Sequence, residues 1–443
     1  MKVIPVQNSM KQQVYSPKLG NKPVSKAVKF PTDIAVGALI GSLMIYKTSR
    51  LNVKDCSHYL KSLASGVSEM LGEKINPKSL SCVMDKAEFV SEILKLKKQN
   101  YIYTPENIKN FGFMADFHMH TTHSDGNISV GKLLDEISEY GNKLFARTGK
   151  KFMFSITDHD SVAGVKEALG IIAKSPEKFR NVRFIPGVEL SFSHKAPKSS
   201  NPCEISEVLA FGFDPFKLSK HMDALQLKRV QTIDNMFSEI KKALPLTNFD
   251  KKEMLRTYNM NENCLMMNSH WAVNNYAQAK HAITIQASRH GQDSSKLFEE
   301  IIMPLNVKDR TLWHLKEKHV LDNDIGEAIQ INNIRRKYQP HMVNNTLILN
   351  NENSFENLID LFKGENVTMA FAHPYFTAEK FNFPVKVMNS FIHKSKGLIE
   401  LSEAYHQAYP GNVSMSKVEE INEYLKQLIK IGGSDNHKAK YII

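Results

Sequence analysis

Residues 115–126, ADFHMHTTHSDG, set Asp116, His118 and His120 at alternate positions and then turn through His123 and Asp125. Alternate residues of a strand point the same way, so both imidazoles can reach one divalent ion. A pair of histidines two apart also arises by chance, and alone it decides nothing. Further clusters follow, each at the end of an apolar run: Asp158, His159 and Asp160 after KFMFSIT, and Glu189 within VRFIPGVEL. His373 follows VTMAFA and is turned by Pro374, and Asp435 and His437 come directly after LIKIGG. Any one such histidine is most often a satisfied structural residue. Four or five strand ends that all carry His, Asp or Glu call for one composite site holding two or three cations, because clustered carboxylates and imidazoles repel or lose solvation unless a cation joins them.

The elements that must position these residues alternate between strand and helix. FMADF reads as a strand, followed by a helix around residues 130–140 with Val130, Leu133, Leu134 and Ile137 on one face. KFMFSIT is the next strand, residues 162–173 the next helix, and VRFIPGVEL a third strand. This βαβαβ texture predicts an α/β sheet or barrel. Such folds carry their chemistry on loops at the carboxyl ends of the strands.

In this order DFHMH with SDG, then TDHD, GVE, AHP and GSDNH resemble the polymerase and histidinol phosphatase (PHP) superfamily over most of residues 113–437. The resemblance implies a distorted (β/α)7 TIM-like barrel with an inserted helical lobe and a small N-terminal helical region. It also implies two or three divalent ions (Mn2+, Zn2+, Fe2+ or Mg2+) and phosphoester hydrolysis. Carried over motif by motif, His118, His120, Glu189 and Asp435 hold one metal. Glu189 bridges to a second completed by His373 and one further ligand, and Asp125, His159 and His437 hold the third. These metal residues, apart from the further ligand, are also the implied catalytic set. The branch most resembled acts on nucleotides and short oligonucleotides, which makes the partner a small phosphorylated substrate or short oligonucleotide and implies no stable nucleic-acid partner.

The further ligand is where the chain departs from that pattern. EVLAFGFD puts Glu207 where the resembling branch has a histidine, with His194 as the substitute. A carboxylate in place of an imidazole tilts preference from zinc toward manganese or magnesium. Arg229, His270 and Arg289 of the helical lobe are the implied substrate contacts. Asn268 and Ser269 precede His270, where the family's arginine is missing.

With 443 residues, 42% hydrophobic and 23% charged, the chain belongs with folded proteins. Cys56, Cys82, Cys203 and Cys264 show no CxxC spacing, which argues against a disulfide scaffold or a cysteine zinc site and fits a reducing, cytoplasmic setting. Of the net charge of +12, residues 1–110 hold 17 Lys and Arg against 8 Asp and Glu, so the basic excess sits in the N-terminal region. Residues 1–50 read as a flexible basic arm with a 13-residue apolar segment at 34–46, too short to span a bilayer. That segment predicts a buried or interface helix, with membrane contact as the alternative. Residues 51–110 predict a small helical region, with helices at 57–71 and 84–98. Barrel parts at 111–213 and 361–443 flank the lobe at 214–360, in which residues 221–242 and 255–278 read as helices. No zinc-finger spacing or basic–aromatic array appears. The rival to an enzyme is a metal-binding regulatory or interaction module of the same fold without hydrolysis.

Overall fold

The computed structural model describes residues 53–194, 204–260, 262, 265, 269–305, 309–338, 342–343, 346–347, 354–380, 385–407, 409 and 414–441. The basic arm and the apolar segment 34–46 lie outside them. Among the described residues no helix is long and apolar enough to cross a membrane.

Among the described residues eight strands make the frame: β1 (Ala115–Asp116), β2 (Phe152–Phe154), β3 (Val182–Phe184), β4 (Gly187–His194), β5 (Glu204–Phe211), β6 (Thr368–Phe371), β7 (Ile399–His406) and β8 (Ile429–Gly433). They form a parallel sheet β1-β2-β3 and a mixed sheet β8-β7-β6-β5-β4. In the second sheet β6, β7 and β8 are parallel, and β5 runs antiparallel to both β4 and β6. The fold is therefore mixed α/β. A short hairpin pairs Met342–Val343 with Thr346–Leu347.

Among the described residues no continuous ladder closes these sheets into a barrel, which departs from the barrel implied by the sequence. Single bridges, Met119 with Asn436 and His159 with Glu189, join the two sheets instead. β1 and β2 stop after Asp116 and Phe154, where the chain leaves the ladder for the loops that carry the histidines. The predicted strand 182–190 breaks between β3 and β4 at Pro186, which has no N–H to donate.

Helices α1 (Val53–Leu71), α2 (Lys86–Ile93), α3 (Val130–Thr148) and α4 (Ala163–Lys174) accompany the first half of the frame. Asp85 caps α2 by accepting the Glu88 N–H. The predicted helix 84–98 ends at Ile93 and resumes only as a single tight turn at Lys98–Tyr101. α3 starts at Ser129, whose side chain accepts the Lys132 N–H, and stops at the left-handed Gly149 (φ 67°). It buries Val130, Leu133, Leu134, Ile137 and Leu144 against the first sheet.

Between the two parts of the frame lie α5 (Pro215–Ala243), α6 (Ser269–His290) and α7 (Ile329–Tyr338), with shorter helices among them. They enclose their own apolar core, from Ile233 through Tyr276 and Phe298 to Ile334. The helical run predicted at 255–278 is divided: one helix ends at Thr257 and α6 begins at Ser269.

The strands are lined by a core in which α2 supplies Phe89. Its ring lies 4.9 Å from Phe117 and 5.2 Å from Phe211, all three fully buried among Leu209, Ala370, Leu401 and Ile431. Phe117 sits between Asp116 and His118, so the packing of one aromatic ring sets the place of the first histidine. Replacing Phe117 with Ala leaves a cavity in this core and is expected to cost about 3–5 kcal/mol of stability, read from urea unfolding.

Candidate metal centre

The β1 strand covers only Ala115–Asp116, so His118 and His120 lie on the loop beyond it, and both are fully buried. Backbone bonds pin that loop to the one after β8: the Asp435 N–H donates to the His118 carbonyl at 2.8 Å, and the His120 N–H to the Asn436 carbonyl at 3.1 Å. Asp116 joins no ligand group. Its carboxylate accepts the Ser434 N–H (2.9 Å) and the Tyr441 hydroxyl (2.9 Å), and burial pushes it up to about 6 against these hydrogen bonds. Asp158 is likewise a scaffold residue, accepting from the Thr121 N–H and hydroxyl and from the Ser124 hydroxyl.

Around these loops the histidines and acids gather into overlapping groups that could each hold a metal ion. In the first, His118 Nε2 lies 2.9 Å from Glu189 Oε2 and 3.4 Å from Asp435 Oδ1, and His120 Nε2 lies 3.3 and 3.1 Å from the same two oxygens. In the second, His437 Nε2 is 3.0 Å from Asp125 Oδ1, with His120 Nδ1 and His159 Nε2 each 3.8 Å from it. In the third, His159 Nδ1 is 3.3 Å from Glu189 and 3.8 Å from Glu207. His373 Nε2 adds to that group at 3.2 Å from Glu189 and 3.4 Å from Glu207. Glu207 thus faces the same cavity as Glu189 and His373. His194 closes β4 opposite Glu204 in register, and its side chain lies outside the described residues.

Two site residues escaped the sequence reading. Glu403 and His406, both buried, come from β7. Glu403 lies 3.1 Å from His118 Nδ1 through each of its oxygens and accepts the His373 N–H at 2.7 Å. His406 Nε2 is 3.3 Å from Asp435 Oδ2. His406 ends its strand, but IELSEAYH sets Glu403 inside it beside the similar Glu400 and Ser402, so the strand-end signal used elsewhere does not single the pair out. His120 also stands in two groups, whereas the sequence reading gave it to one.

The lobe residues fare unequally. Arg229 on α5 reaches the Asp160 carboxylate at 3.0 Å and donates to the Leu265 carbonyl at 2.9 Å, which ties it to the loop that carries His159. His270 is buried near the start of α6 with its ring against Trp271. Arg289 is paired with an acid of the lobe itself. Its guanidinium is held by Asp324 at 2.8 Å on the exposed end of α6, a surface ion pair in place of the expected phosphate contact.

The donor set fits divalent cations: imidazoles and carboxylates converge within a few ångströms, with His118, His120 and Glu189 fully buried and Asp125, Glu207, Asp435 and His437 partly open to solvent. Asp125 Oδ1 and His159 Nδ1 are buried atoms without a hydrogen-bond partner, as is His373 Nδ1. Burial alone would lower His120, yet its bonds to Asp435 and Glu189 push it up to about 10, and the same opposition takes His373 to about 9. Burial raises Glu189, and the surrounding rings of His118 and His159 outweigh it and hold the acid well below its ordinary range. Gly433 closes the floor: a Cβ there would fall 2.1 Å from Glu403 Oε1 and 2.3 Å from His118 Cβ.

Two outcomes are expected. Without metal, His120 and His373 carry protons at neutral pH, and a cation must displace them. Adding manganese or zinc to metal-free protein in weak buffer at pH 7 should therefore release protons, and apparent affinity should rise with pH; a pH-independent affinity would contradict this. Glu403→Ala removes the acceptor that orients His118 and should weaken metal binding about 10–100-fold in a chelator competition, with the circular dichroism spectrum unchanged.

No protein-family model matches the sequence and no curated protein matches it. Among solved structures, the chain is similar to one named as a metal-dependent phosphoesterase from Bifidobacterium adolescentis, at 17% identity and a TM-score of 0.40 over 74% of this chain and 90% of that one. It is also similar to an amidohydrolase from Chromobacterium violaceum with sulfate bound and no metal, at 16% identity and a TM-score of 0.39 over 74% of this chain and 89% of that one.

Proposed function

We propose that the chain is a metal-dependent phosphoesterase of PHP type that hydrolyses a phosphate ester of a nucleotide or short oligonucleotide. One observation carries the reading: the ligand groups are not separate but share Glu189 and His120, which sets candidate cation positions side by side. Adjacent cations suit a phosphoryl group, whose attacking, leaving and non-bridging oxygens need charge compensation together. In this reading residues 111–213 and 361–443 make up the catalytic part of the chain, with residues 214–360 as the inserted lobe.

His118, His120, Glu189 and Asp435 would hold one ion, and Glu189, His373 and Glu207 a second. Asp125, His159 and His437, with His120, would hold a third. When bound, divalent ions in such a site supply Lewis acidity, lowering the pKa of a water and balancing charge on phosphoryl oxygens. The protein's own part is positioning. Glu403 fixes the ring of His118 and, through the His373 N–H, the loop that follows β6. Arg229 keeps Nη2 buried without a hydrogen-bond partner while Nη1 pairs with Asp160, so its second nitrogen can donate to a phosphate oxygen at the loop that carries His159. Gln226, on the same helix, donates to the Asp160 carbonyl and steadies that loop.

The test is metal analysis of the purified protein followed by a panel of phosphomonoesters, phosphodiesters and short oligonucleotides. At least two ions per chain and turnover on one class are expected, with His118→Ala or His120→Ala slowing turnover on the order of a hundredfold. Full metal loading with no turnover on any class would replace the enzyme by the binding-module reading. Glu207→His should move metal preference toward zinc while retaining activity; unchanged preference would remove Glu207 from the ligands.

A further inference from the structure

The opposite ends of the first-sheet strands carry a different chemistry. β1, β2 and β3 are parallel, and the imidazole–carboxylate loops follow the C-terminal ends of β1 and β2, so the N-terminal ends face away from the cluster. Two clefts open there. One, of about 520 Å³, is lined by Leu96, Lys97, Asn100, Met114, Lys150 and Lys151, with others. The other, of about 370 Å³, is lined by Lys78, Ser79, Ser81 and Arg180, and again by Lys151. The first has the size of a small-molecule site.

Charge balance makes these clefts more than a solvated face. Lys95 is satisfied by Glu92 at 2.6 Å, and Arg183 by Glu88. Lys78, Lys97, Lys150, Lys151 and Arg180 form no ion pair among the described residues, although Glu92 and Glu177 line the same clefts. Two helix C-termini lie close by, since α3 stops at Gly149 just before Lys150 and α2 stops at Ile93 just before Lys95. Each supplies roughly half a negative charge, which leaves most of five cations uncompensated. No aromatic side chain lines either cleft, so the stacking surface that single-stranded nucleic acid uses is missing. The cations also line hollows, whereas a lipid surface is met by a protruding basic face.

We propose that the two clefts form a binding site for an oligophosphate anion, a short chain of linked phosphates that meets Lys97 and Lys150 in the larger cleft, Lys78 and Arg180 in the smaller, and Lys151 between them. The site is separate from the metal centre, and the reading of that centre as a phosphoesterase can fail without touching it.

Calorimetric titration of the full-length protein with inorganic tripolyphosphate, free of divalent metal, tests this. One anion per chain is expected, weakened by added salt and on the order of tenfold by combined Lys97→Glu, Lys150→Glu and Lys151→Glu substitution. His118→Ala should leave this binding in place. Should the charge-reversed variant fail to fold, the same three positions as Gln supply the comparison. Absence of binding, or equal binding by wild type and the charge variants, overturns the proposal. Loss with His118→Ala alone assigns the anion to the metal centre and also overturns it. A single-stranded oligonucleotide that binds more tightly than tripolyphosphate, and is lost on charge reversal, overturns the oligophosphate assignment in favour of nucleic acid.

Discussion

Glu189 is a carboxylate shut off from the surface. It is fully buried at the centre of the frame, and four imidazoles, those of His118, His120, His159 and His373, approach it within 2.9–3.3 Å. Leaving an ionised acid in such a place costs several kcal/mol unless positive charge stands against it. Protons on the rings can provide that charge, and so can cations among them. Either way, the three loops that bring these rings are held to one acid, and the remaining parts of the site are arranged around that demand. Glu403 answers it a second time on the far side of His118, so the ring is gripped between two buried carboxylates.

Holding three loops to one point requires backbone that ordinary strands do not provide. Asp160, His373 and Asp435 each adopt positive φ, at 47°, 27° and 52°. For residues other than glycine this conformation is uncommon and costs about 1–3 kcal/mol when strained. Each is tied down by a hydrogen bond to another part of the site: the Asp160 N–H to the Glu189 carbonyl, the His373 N–H to Glu403, and the Asp435 N–H to the His118 carbonyl. The first and last of these bonds stand in for the ladder that is interrupted between the two sheets. The break in regular pairing and the convergence of side chains therefore have a common cause, because the chain leaves the strand to present the ring.

This explains how much of the site could be read in the sequence. HMH, TDHD, GVE, AHP and GSDNH were legible because each packs its polar residues tightly behind an apolar run. Glu403 and His406 were not, because IELSEAYH spreads them through a strand in which Glu400 and Ser402 look equivalent. Asp116 and Asp158 stand next to ring-bearing positions, yet they spend their oxygens on neighbouring N–H and hydroxyl groups, and only the fold decides between ligation and scaffolding. Arg229 and Arg289 were indistinguishable as helical arginines; their fates were set by which carboxylate lay within reach, Asp160 or Asp324. The frame was legible as strand and helix alternation. The antiparallel β5 and the division of the predicted helix at 255–278 were not, since pairing direction and helix breaks follow from tertiary contacts.

Glu207 shows what one changed donor does to such a cluster. Burial raises its carboxyl, and the negative charge of Glu189 raises it further, while His159 and His373 pull the other way. An imidazole at this position would add a neutral donor beside Glu189. The carboxylate instead adds a second acid to a group that already contains one, so a cation there neutralises more charge and gains more from being hard and oxygen-seeking. The cost falls on the metal-free protein, which must keep two acids close together with only His159 and His373 between them. In the proposed function, the second ion position is thus the one whose occupancy depends most on pH and on which metal is offered, while the first is fixed by the paired grip on His118.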